Sequence, residues 1–220
     1  DKGSQRCCGV SWTDDNRIFC AMDGQIEVRH GTDLQLDKTI GLPEGHRAIS
    51  TLLVDSRLHT RCASRKEKKY MTYSGSLDGP TQSVLHSEKD ENPPKITHIS
   101  ANKEYVASLD YANKTLKVFS SINNKHLFDI QLTGMKRPYG VLLTTDGVLV
   151  TDYRGGKLSK YSLSPSDEPL WTCTGLQSPS GLTTDESGFT YVTSSNMPII
   201  HLISPKGQNC LEDWQPNLKH

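Results

Sequence analysis

The chain has 220 residues, of which 25 are basic and 25 are acidic, so its formal net charge at pH 7 is zero. A neutral total speaks against the strongly basic domains that bind nucleic acids through their overall charge. No apolar stretch is long enough to span a bilayer and no basic-then-apolar leader begins at Asp1, so we expect a soluble protein with no membrane partner.

One sequence unit of about forty residues repeats along the chain, and such a period is typical of repeat folds. In chain order, the first copy is found at 8–30, a degenerate copy at 46–74 and a third at 96–121. The two clearest copies cover 134–163 and 175–203. The resulting units span about 6–43, 44–93, 94–132, 133–174 and 175–214.

Each unit predicts four strands separated by polar turns, and the fourth unit is the clearest example. Its strands are bounded by Asp-Gly and Asp-Tyr-Arg-Gly-Gly turns, a pattern typical of antiparallel hairpins. The predicted strands are 141–143, 148–151, 158–163 and 170–176. Four antiparallel strands per repeat are typical of a β-propeller blade. We therefore predict an all-β fold, a single domain over 1–220 that is a β-propeller of five four-stranded blades. The alternative is a six-bladed propeller with one divergent or missing blade.

Two positions recur at fixed places in these units. The first stands where each unit begins and is occupied by Gly9, His98, Gly140 and Gly181. In a propeller the inner strands crowd the axis at this position, so a missing side chain permits a close approach. A β-sandwich, the other all-β possibility, gives no reason for this alignment. The second position is that of Asp110 and Asp152, which we interpret as turn residues that accept backbone N–H bonds.

Residues 138–162 combine a Pro-x-Gly opening, a Leu-Val-Thr-Asp second strand, a polar turn and a Lys-Leu-x-x-Tyr third strand. This pattern resembles the NHL repeat, and it is most similar to the C-terminal NHL-like propellers of tripartite-motif (TRIM) proteins. The resemblance is strong over 134–207, fair over 96–132 and 8–30, and weak over 44–87. It implies a propeller, typically six-bladed, that serves a RING-type E3 ubiquitin ligase as its recognition module. Ubiquitination substrates would then be partners of the whole protein, which would carry RING, B-box and coiled-coil segments upstream.

The charges separate when they are sorted by the loops of this topology. Loops that enter each blade share one face with loops that join its second and third strands, and the remaining loops share the opposite face. Sorting gives roughly +5 on the first face and about −6 on the second. In NHL domains the loop-rich face binds RNA or protein, so the resemblance places a binding site on this basic face. The candidate binding residues are Arg47, Arg65, Lys66, Lys68, Lys69, Lys136, Arg137, Tyr139, Tyr153, Arg154 and Lys157.

These candidates can be interpreted as binding residues or as purely structural ones. Guanidinium groups beside exposed tyrosines suit pairing with phosphate or carboxylate and stacking on bases. The alternative is that Pro138 and Tyr139 pack the start of the blade and that Arg154 is a solvated turn residue. The run 65–69 is open to a second interpretation as well, since lysine-rich loops commonly keep sheet edges soluble.

The six cysteines lack the spacing of a structural zinc site. We expect mostly reduced, buried thiols in a cytoplasmic protein, although the glycosylation sequon at Asn113 points the other way. Some NHL-like propellers are lyases that hold zinc with several channel histidines, but at the aligned unit starts only His98 is a histidine. We therefore expect no catalysis, no metal and no cofactor in this domain.

The leading hypothesis is that the basic face captures single-stranded RNA, with an acidic protein surface as the second kind of ligand, and that the domain itself is monomeric. Two alternatives stay open. One is a protein-interaction scaffold that binds no RNA, and the other is a secreted propeller with a lyase-type metal site.

Overall fold

The structure is a computed structural model that describes residues 7–13, 15–42, 44–54, 57–64, 69–76, 83–84 and 96–209. Nineteen β-strands lie in these residues and form five small antiparallel sheets. Within the same residues there is no helix that is long and apolar enough to cross a membrane. The fold is all-β, with five sheets in the arrangement of propeller blades, which confirms the predicted fold class.

The first two sheets keep their strands in chain order, as the blades of a propeller do. The first sheet contains β1 (Gly9–Trp12), β2 (Arg17–Ala21), β3 (Gln25–His30) and β4 (Leu36–Gly41). The second contains β5 (His46–Val54), β6 (Arg57–Ser64), β7 (Lys69–Ser76) and β8 (Ser83–Val84). The degenerate copy of the repeat therefore also forms a four-stranded sheet.

The other three sheets follow the clearer copies of the repeat. The third contains β9 (Ile96–Ala101), β10 (Tyr105–Asp110), β11 (Thr115–Ser120) and β12 (His126–Gln131). The fourth contains β13 (Pro138–Thr144), β14 (Gly147–Asp152), β15 (Lys157–Tyr161) and β16 (Trp171–Thr174). The fifth contains β17 (Pro179–Thr184), β18 (Thr190–Ser194) and β19 (Ile200–Ile203), and Ile203 also bridges to Asn209. Each predicted unit thus holds one sheet, and the end of the fifth unit lies outside the described residues.

The chain divides into two compact units, residues 1–106 with 119–126 and residues 107–118 with 127–220. The central strands are covered on both sides, since all six residues of β14 and five of the six residues of β10 are buried. The first unit has a core of Phe19, Ala21, Ile26, Val28, Ala48 and Leu58 between its first two sheets. The second has a core of Leu149, Leu158, Cys173, Leu176, Val192 and Ile203. Each large apolar side chain buried in this way contributes about 1.5–3 kcal/mol. That the chain is one domain stays a prediction.

Gly140 shows why the start of a unit is glycine. A Cβ at this residue would collide with the carbonyl oxygen of Ser180 and lie 2.7 Å from Leu182 Cδ2. The Gly140 N–H donates to Thr151 Oγ1 at 2.8 Å, and that hydroxyl donates to the Ser180 carbonyl oxygen at 3.0 Å. The glycine is therefore required by the close approach of β13 to β17, as the alignment of the repeats predicts.

The recurring aspartates accept backbone N–H bonds at turns, which confirms their interpretation. Asp110 is fully buried, and its Oδ1 accepts from the N–H groups of Ala112 at 3.1 Å and Asn113 at 3.3 Å. Its Oδ2 accepts from Asn113 Nδ2 at 2.8 Å. Asp152 plays the same part in the fourth sheet.

The five described cysteines are free thiols. Cys62 and Cys173 are buried, and burial raises the pKa of Cys62 to about 12. Cys7 and Cys8 are exposed, so the expectation of buried thiols fails for this pair. The reason is local, since both residues precede the first strand.

Candidate functional site

A buried carboxylate fixes the backbone of the predicted site. Asp152 ends β14 and is fully buried. Its Oδ2 accepts from the Lys136 N–H at 2.7 Å, and its Oδ1 accepts from the N–H groups of Arg137 at 2.7 Å and Gly155 at 2.9 Å. Hydrogen bonds to an ionised group are shorter and stronger than neutral ones. One side chain therefore holds both the segment leading into β13 and the turn between β14 and β15.

Two glycines let the turn close around this carboxylate. A Cβ on Gly155 would collide with the Asp152 carboxylate. Gly156 has a φ of +62°, a conformation that favours glycine, and a Cβ there would lie 2.7 Å from the Leu176 carbonyl oxygen. The Tyr153 N–H donates to the Arg137 carbonyl oxygen at 2.9 Å, which ties the two segments together a second time.

Three of the predicted binding residues meet above this turn. The guanidinium carbon of Arg137 lies 5.2 Å from the centroid of the Tyr153 ring, within the range of a cation–π contact. The ring centroids of Tyr139 and Tyr153 are 6.0 Å apart and tilted by 42°. Arg137 is exposed and both tyrosines are half-buried. The arrangement presents aromatic surface and a positive charge to solvent on one backbone that is held in place.

Two uncharged residues extend this group and were missed by sequence analysis. The Tyr153 hydroxyl donates to Asn196 Oδ1 at 3.2 Å, and Asn196 Nδ2 donates to Ser178 Oγ at 3.0 Å. Ser178 precedes β17, and its carbonyl oxygen accepts from the Ser195 N–H at 3.1 Å. We call Arg137, Tyr139, Tyr153, Ser178 and Asn196 the tyrosine cluster.

A signal for the two missed residues was present in the repeat. When the fourth and fifth units are aligned on their Pro-x-Gly openings, Ser178 takes the place of Arg137. Aligning the ends of their second strands places Asn196 opposite Arg154. Both residues thus belong to the loops that form the predicted basic face. Sorting that face by charge alone passed over them.

The remaining predicted cations are divided between the two compact units. In the second unit Lys136 and Arg154 are exposed and adjoin Arg137 and Tyr153 in the chain, and Lys157 Nζ lies 3.5 Å from the Gly134 carbonyl oxygen. In the first unit Arg47 lies on β5 opposite Ala63 and forms a backbone bridge with Asp23. Lys69 begins β7. The predicted residues Arg65, Lys66 and Lys68 lie outside the described residues.

Acidic turns lie at the other ends of the strands in the second unit. Asp146, between β13 and β14, accepts from Lys160 Nζ at 2.7 Å, and this ammonium lowers the pKa of Asp146. Asp185, between β17 and β18, accepts from the Ser187 and Phe189 N–H groups and from the Tyr191 hydroxyl. Within this unit the strand ends that carry the tyrosine cluster are therefore basic, and the opposite ends are acidic.

The sequence analysis considered histidines as possible metal ligands. His98 lies on β9 and is half-buried, and His46 Nδ1 lies 3.2 Å from the Glu44 carbonyl oxygen. Among the described side chains there is no group of three or more potential metal ligands.

Comparison with solved structures finds the same fold at low sequence identity. A protein of unknown function from Bacteroides caccae has a TM-score of 0.69 and 16% identity, and the match covers 100% of this chain and 85% of that one. A catalytically inactive virginiamycin B lyase from Staphylococcus aureus, solved with quinupristin, has a TM-score of 0.67 and 10% identity over 99% and 87% of the two chains. A chain of the mitotic checkpoint complex has a TM-score of 0.69 and 12% identity over 91% and 63%.

The two comparisons of the sequence found no match. No family model matches the chain, and no curated protein sequence matches it. At such low identities the solved structures establish propeller-like architecture alone.

Proposed function

We propose that this chain is a recognition module that captures single-stranded RNA at the tyrosine cluster. The observation that carries the proposal is the exposed Arg137 guanidinium over the Tyr153 ring, with Tyr139 beside it. Unpaired bases stack on aromatic rings and on guanidinium planes, and each stacked base contributes about 1–3 kcal/mol. The Arg137 guanidinium plane on the Tyr153 ring and the neighbouring Tyr139 ring provide such a platform.

The surrounding charges suit the backbone of the same ligand. Lys136 and Arg154 adjoin Arg137 and Tyr153 in the chain, and Lys157 begins the next strand. Arginine and lysine side chains pair with phosphate oxygens. The rings need little reorganisation on binding, since Asp152 already fixes the backbone on both sides of the turn. Because this backbone is already ordered before the ligand binds, less conformational entropy is lost on binding.

For the whole protein, we infer from the resemblance to NHL-like TRIM propellers that the module serves a cytoplasmic RING-type E3 ubiquitin ligase. In that setting the propeller would bind the ubiquitination substrates and so bring them to the ligase. The module itself would need no metal or cofactor. Detection of ubiquitin transfer by the full-length protein, and its loss when the upstream zinc domains are removed, would test this inference.

A protein-interaction scaffold is the second candidate, and one observation favours it. Val10 and Trp12 lie on the same face of β1 and are 63% and 59% exposed. Exposed tryptophan is enriched at protein interfaces, where it supplies much of the binding energy. If the chain is such a scaffold, we expect no measurable RNA affinity, and we expect Trp12→Ala to weaken binding of a protein partner.

Charge reversal distinguishes the two candidates. The double variant Arg137→Glu/Arg154→Glu removes two cations beside the rings and leaves the backbone bonds to Asp152 in place. Lys206→Glu is the matched control, because Lys206 is exposed in the turn after β19, at the acidic ends of the strands. Affinity for a labelled single-stranded RNA of mixed sequence is measured by fluorescence anisotropy between about 50 and 200 mM salt.

We expect the parent protein and the control to bind with affinity that falls as salt rises, and the double variant to lose at least tenfold in affinity, about 1.4 kcal/mol. Equal affinity of the double variant, or no binding at the lowest salt, would overturn the RNA proposal.

A further inference from the structure

One face of the fifth sheet is exposed, although the equivalent face of the first and fourth sheets is buried. Tyr191 on β18 is 39% exposed, whereas Phe19 on β2 and Leu149 on β14 are 0% and 2% exposed. The three residues are equivalent, because each lies two residues before the one that faces the glycine at the start of its unit. The open face of the fifth sheet, as we call it, consists of Thr183, Tyr191, Thr193, Ile200 and Leu202. None of these side chains is charged.

The fifth sheet repeats the glycine and the threonine by which the fourth sheet contacts its neighbour. Thr151 Oγ1 accepts from the Gly140 N–H at 2.8 Å and donates to the carbonyl oxygen of Ser180 in the next sheet. Thr193 Oγ1 likewise accepts from the Gly181 N–H at 3.1 Å, but it donates to the carbonyl oxygen of Gly181 at 3.2 Å, within its own sheet.

The space beyond the two glycines differs in the same way. A Cβ on Gly140 would collide with the Ser180 carbonyl oxygen of the next sheet. A Cβ on Gly181 would meet only Thr193 Oγ1, at 3.0 Å, and no other described atom within 4 Å. Glycine permits the close approach of a second backbone. The fifth sheet therefore has the groups that receive a following sheet, and in the described structure no strand lies against them.

The first sheet has a matching exposed face, opposite the one that packs on the second sheet. Val10, the residue after the glycine of the first unit, is 63% exposed, whereas Val141 in the same place on β13 is 7% exposed. Trp12 beside it is 59% exposed. The open face of the first sheet consists of Val10, Trp12, Cys20, Glu27 and Arg29, and the last two form an ion pair of 2.6 Å. Terminal units of repeat proteins usually present a polar outer face, and an exposed valine and tryptophan depart from this rule.

The contact between the fourth and fifth sheets shows how the two open faces fit together. There Leu182, the residue after the glycine of its unit, packs against the core that contains Leu149. Val10 is the equivalent of Leu182, and Tyr191 is the equivalent of Leu149. Packing Val10 and Trp12 of one chain on Tyr191 of another would therefore repeat a contact that the chain already makes internally. It would also remove exposed apolar surface from water, which is favourable.

We propose that copies of this chain associate head to tail, with the open face of the first sheet in one copy packed on the open face of the fifth sheet in the next. Such an interface is heterologous, because two different surfaces meet in it. The partner for Val10 and Trp12, which also favour the scaffold candidate, is then a second copy of the chain. This inference does not rest on RNA capture, and it departs from the expectation of a monomeric domain.

The test blocks one open face at a time. Val10→Lys places a charge on the open face of the first sheet, and Tyr191→Lys places one on that of the fifth. Ile122→Lys is the matched control, because Ile122 is also an exposed apolar residue, 72% exposed, but lies in the turn between β11 and β12. Sedimentation velocity measures the mass of the parent protein, of each variant and of an equimolar mixture of the two face variants over a range of concentrations. Far-ultraviolet circular dichroism checks that each variant keeps its β structure.

We expect the mass of the parent protein and of the control to rise above that of one chain as the concentration increases. Val10→Lys alone and Tyr191→Lys alone should stay monomeric, because a lysine ammonium buried in an apolar interface without a partner is costly. Their mixture should form a species of two chains and nothing larger, since each variant keeps the one face that the other needs.

A parent protein that is monomeric at every concentration would overturn head-to-tail association. So would association of Val10→Lys or Tyr191→Lys by itself, which would indicate contact between identical faces. Dissociation of the Ile122 variant, or a mixture that stays monomeric while the parent protein associates, would also contradict the assignment of the two faces.

Discussion

Replacing Asp152 should destabilise the protein more than replacing any other turn carboxylate in the second compact unit. Its two oxygens accept three backbone N–H bonds of 2.7–2.9 Å while the side chain is fully buried. A hydrogen bond to a charged group contributes about 1.5–3 kcal/mol. Two of the donors, those of Lys136 and Arg137, belong to exposed residues that water reaches once the carboxylate is gone. We therefore expect Asp152→Ala to lower the free energy of unfolding by about 3–5 kcal/mol, which is less than the loss of three such hydrogen bonds would give.

Asp152→Asn should be nearly as damaging, because one accepting oxygen becomes an NH₂ group that faces a backbone N–H. Asp185→Ala is the matched comparison. Asp185 also accepts two backbone N–H bonds in a turn, but it is exposed. Water can therefore replace its carboxylate, and Asp185→Ala should lower the free energy of unfolding by no more than about 1 kcal/mol.

Urea denaturation followed by tryptophan fluorescence and circular dichroism gives the free energies of unfolding of the parent protein and the three variants. If Asp152→Ala and Asp185→Ala lose similar amounts, burial does not set the strength of these bonds, and the assignment of Asp152 as the anchor of the site is wrong.

Further predictions concern single residues elsewhere in the fold. Gly140→Ala should lower the melting temperature sharply, because the new Cβ meets the carbonyl oxygen of β17, whereas Gly41→Ala, which meets no atom within 4 Å, should be tolerated; equal melts would refute the close approach. Burial lowers the pKa of His59 to about 4 from 6.5. The unfolded chain therefore takes up a proton first as pH falls, and stability should drop between pH 6.5 and 4 by about 3 kcal/mol. Denaturation curves across this range should show the drop in the parent protein and lose it in His59→Leu. Exposed Cys7 should react with iodoacetamide in the native state while buried Cys62 stays unmodified, and peptide mass spectrometry showing the reverse would contradict the described burial.

The repeat predicts much of the fold because each copy carries its own structural reasons. Gly140 is needed for a close approach, and Asp152 is needed to close a turn, so glycine returns at the aligned start of three units and aspartate at the turn of two. The repeat pattern does not predict the exposure of every residue. Cys7 and Cys8 lie at the start of the first unit, before β1, and both are exposed.

The candidate site was predicted in part. Charge and aromatic content mark Arg137, Tyr139 and Tyr153, and the structure brings these side chains together. Ser178 and Asn196 carry no charge, and their part in the site depends on distances between loops of neighbouring sheets. Such distances follow from how two blades pack, which a pattern within one unit does not contain.

Mapping of the bound nucleic acid tests RNA capture most directly. A single-stranded RNA that carries 4-thiouridine and adenosine is cross-linked to the protein by ultraviolet light, and the modified peptides are identified by mass spectrometry. We expect cross-links at Tyr139 and Tyr153, the rings on which bases stack. Cross-links confined to the acidic turns around Asp146 and Asp185, or a yield no higher than that of Arg137→Glu/Arg154→Glu, would contradict RNA capture by the tyrosine cluster.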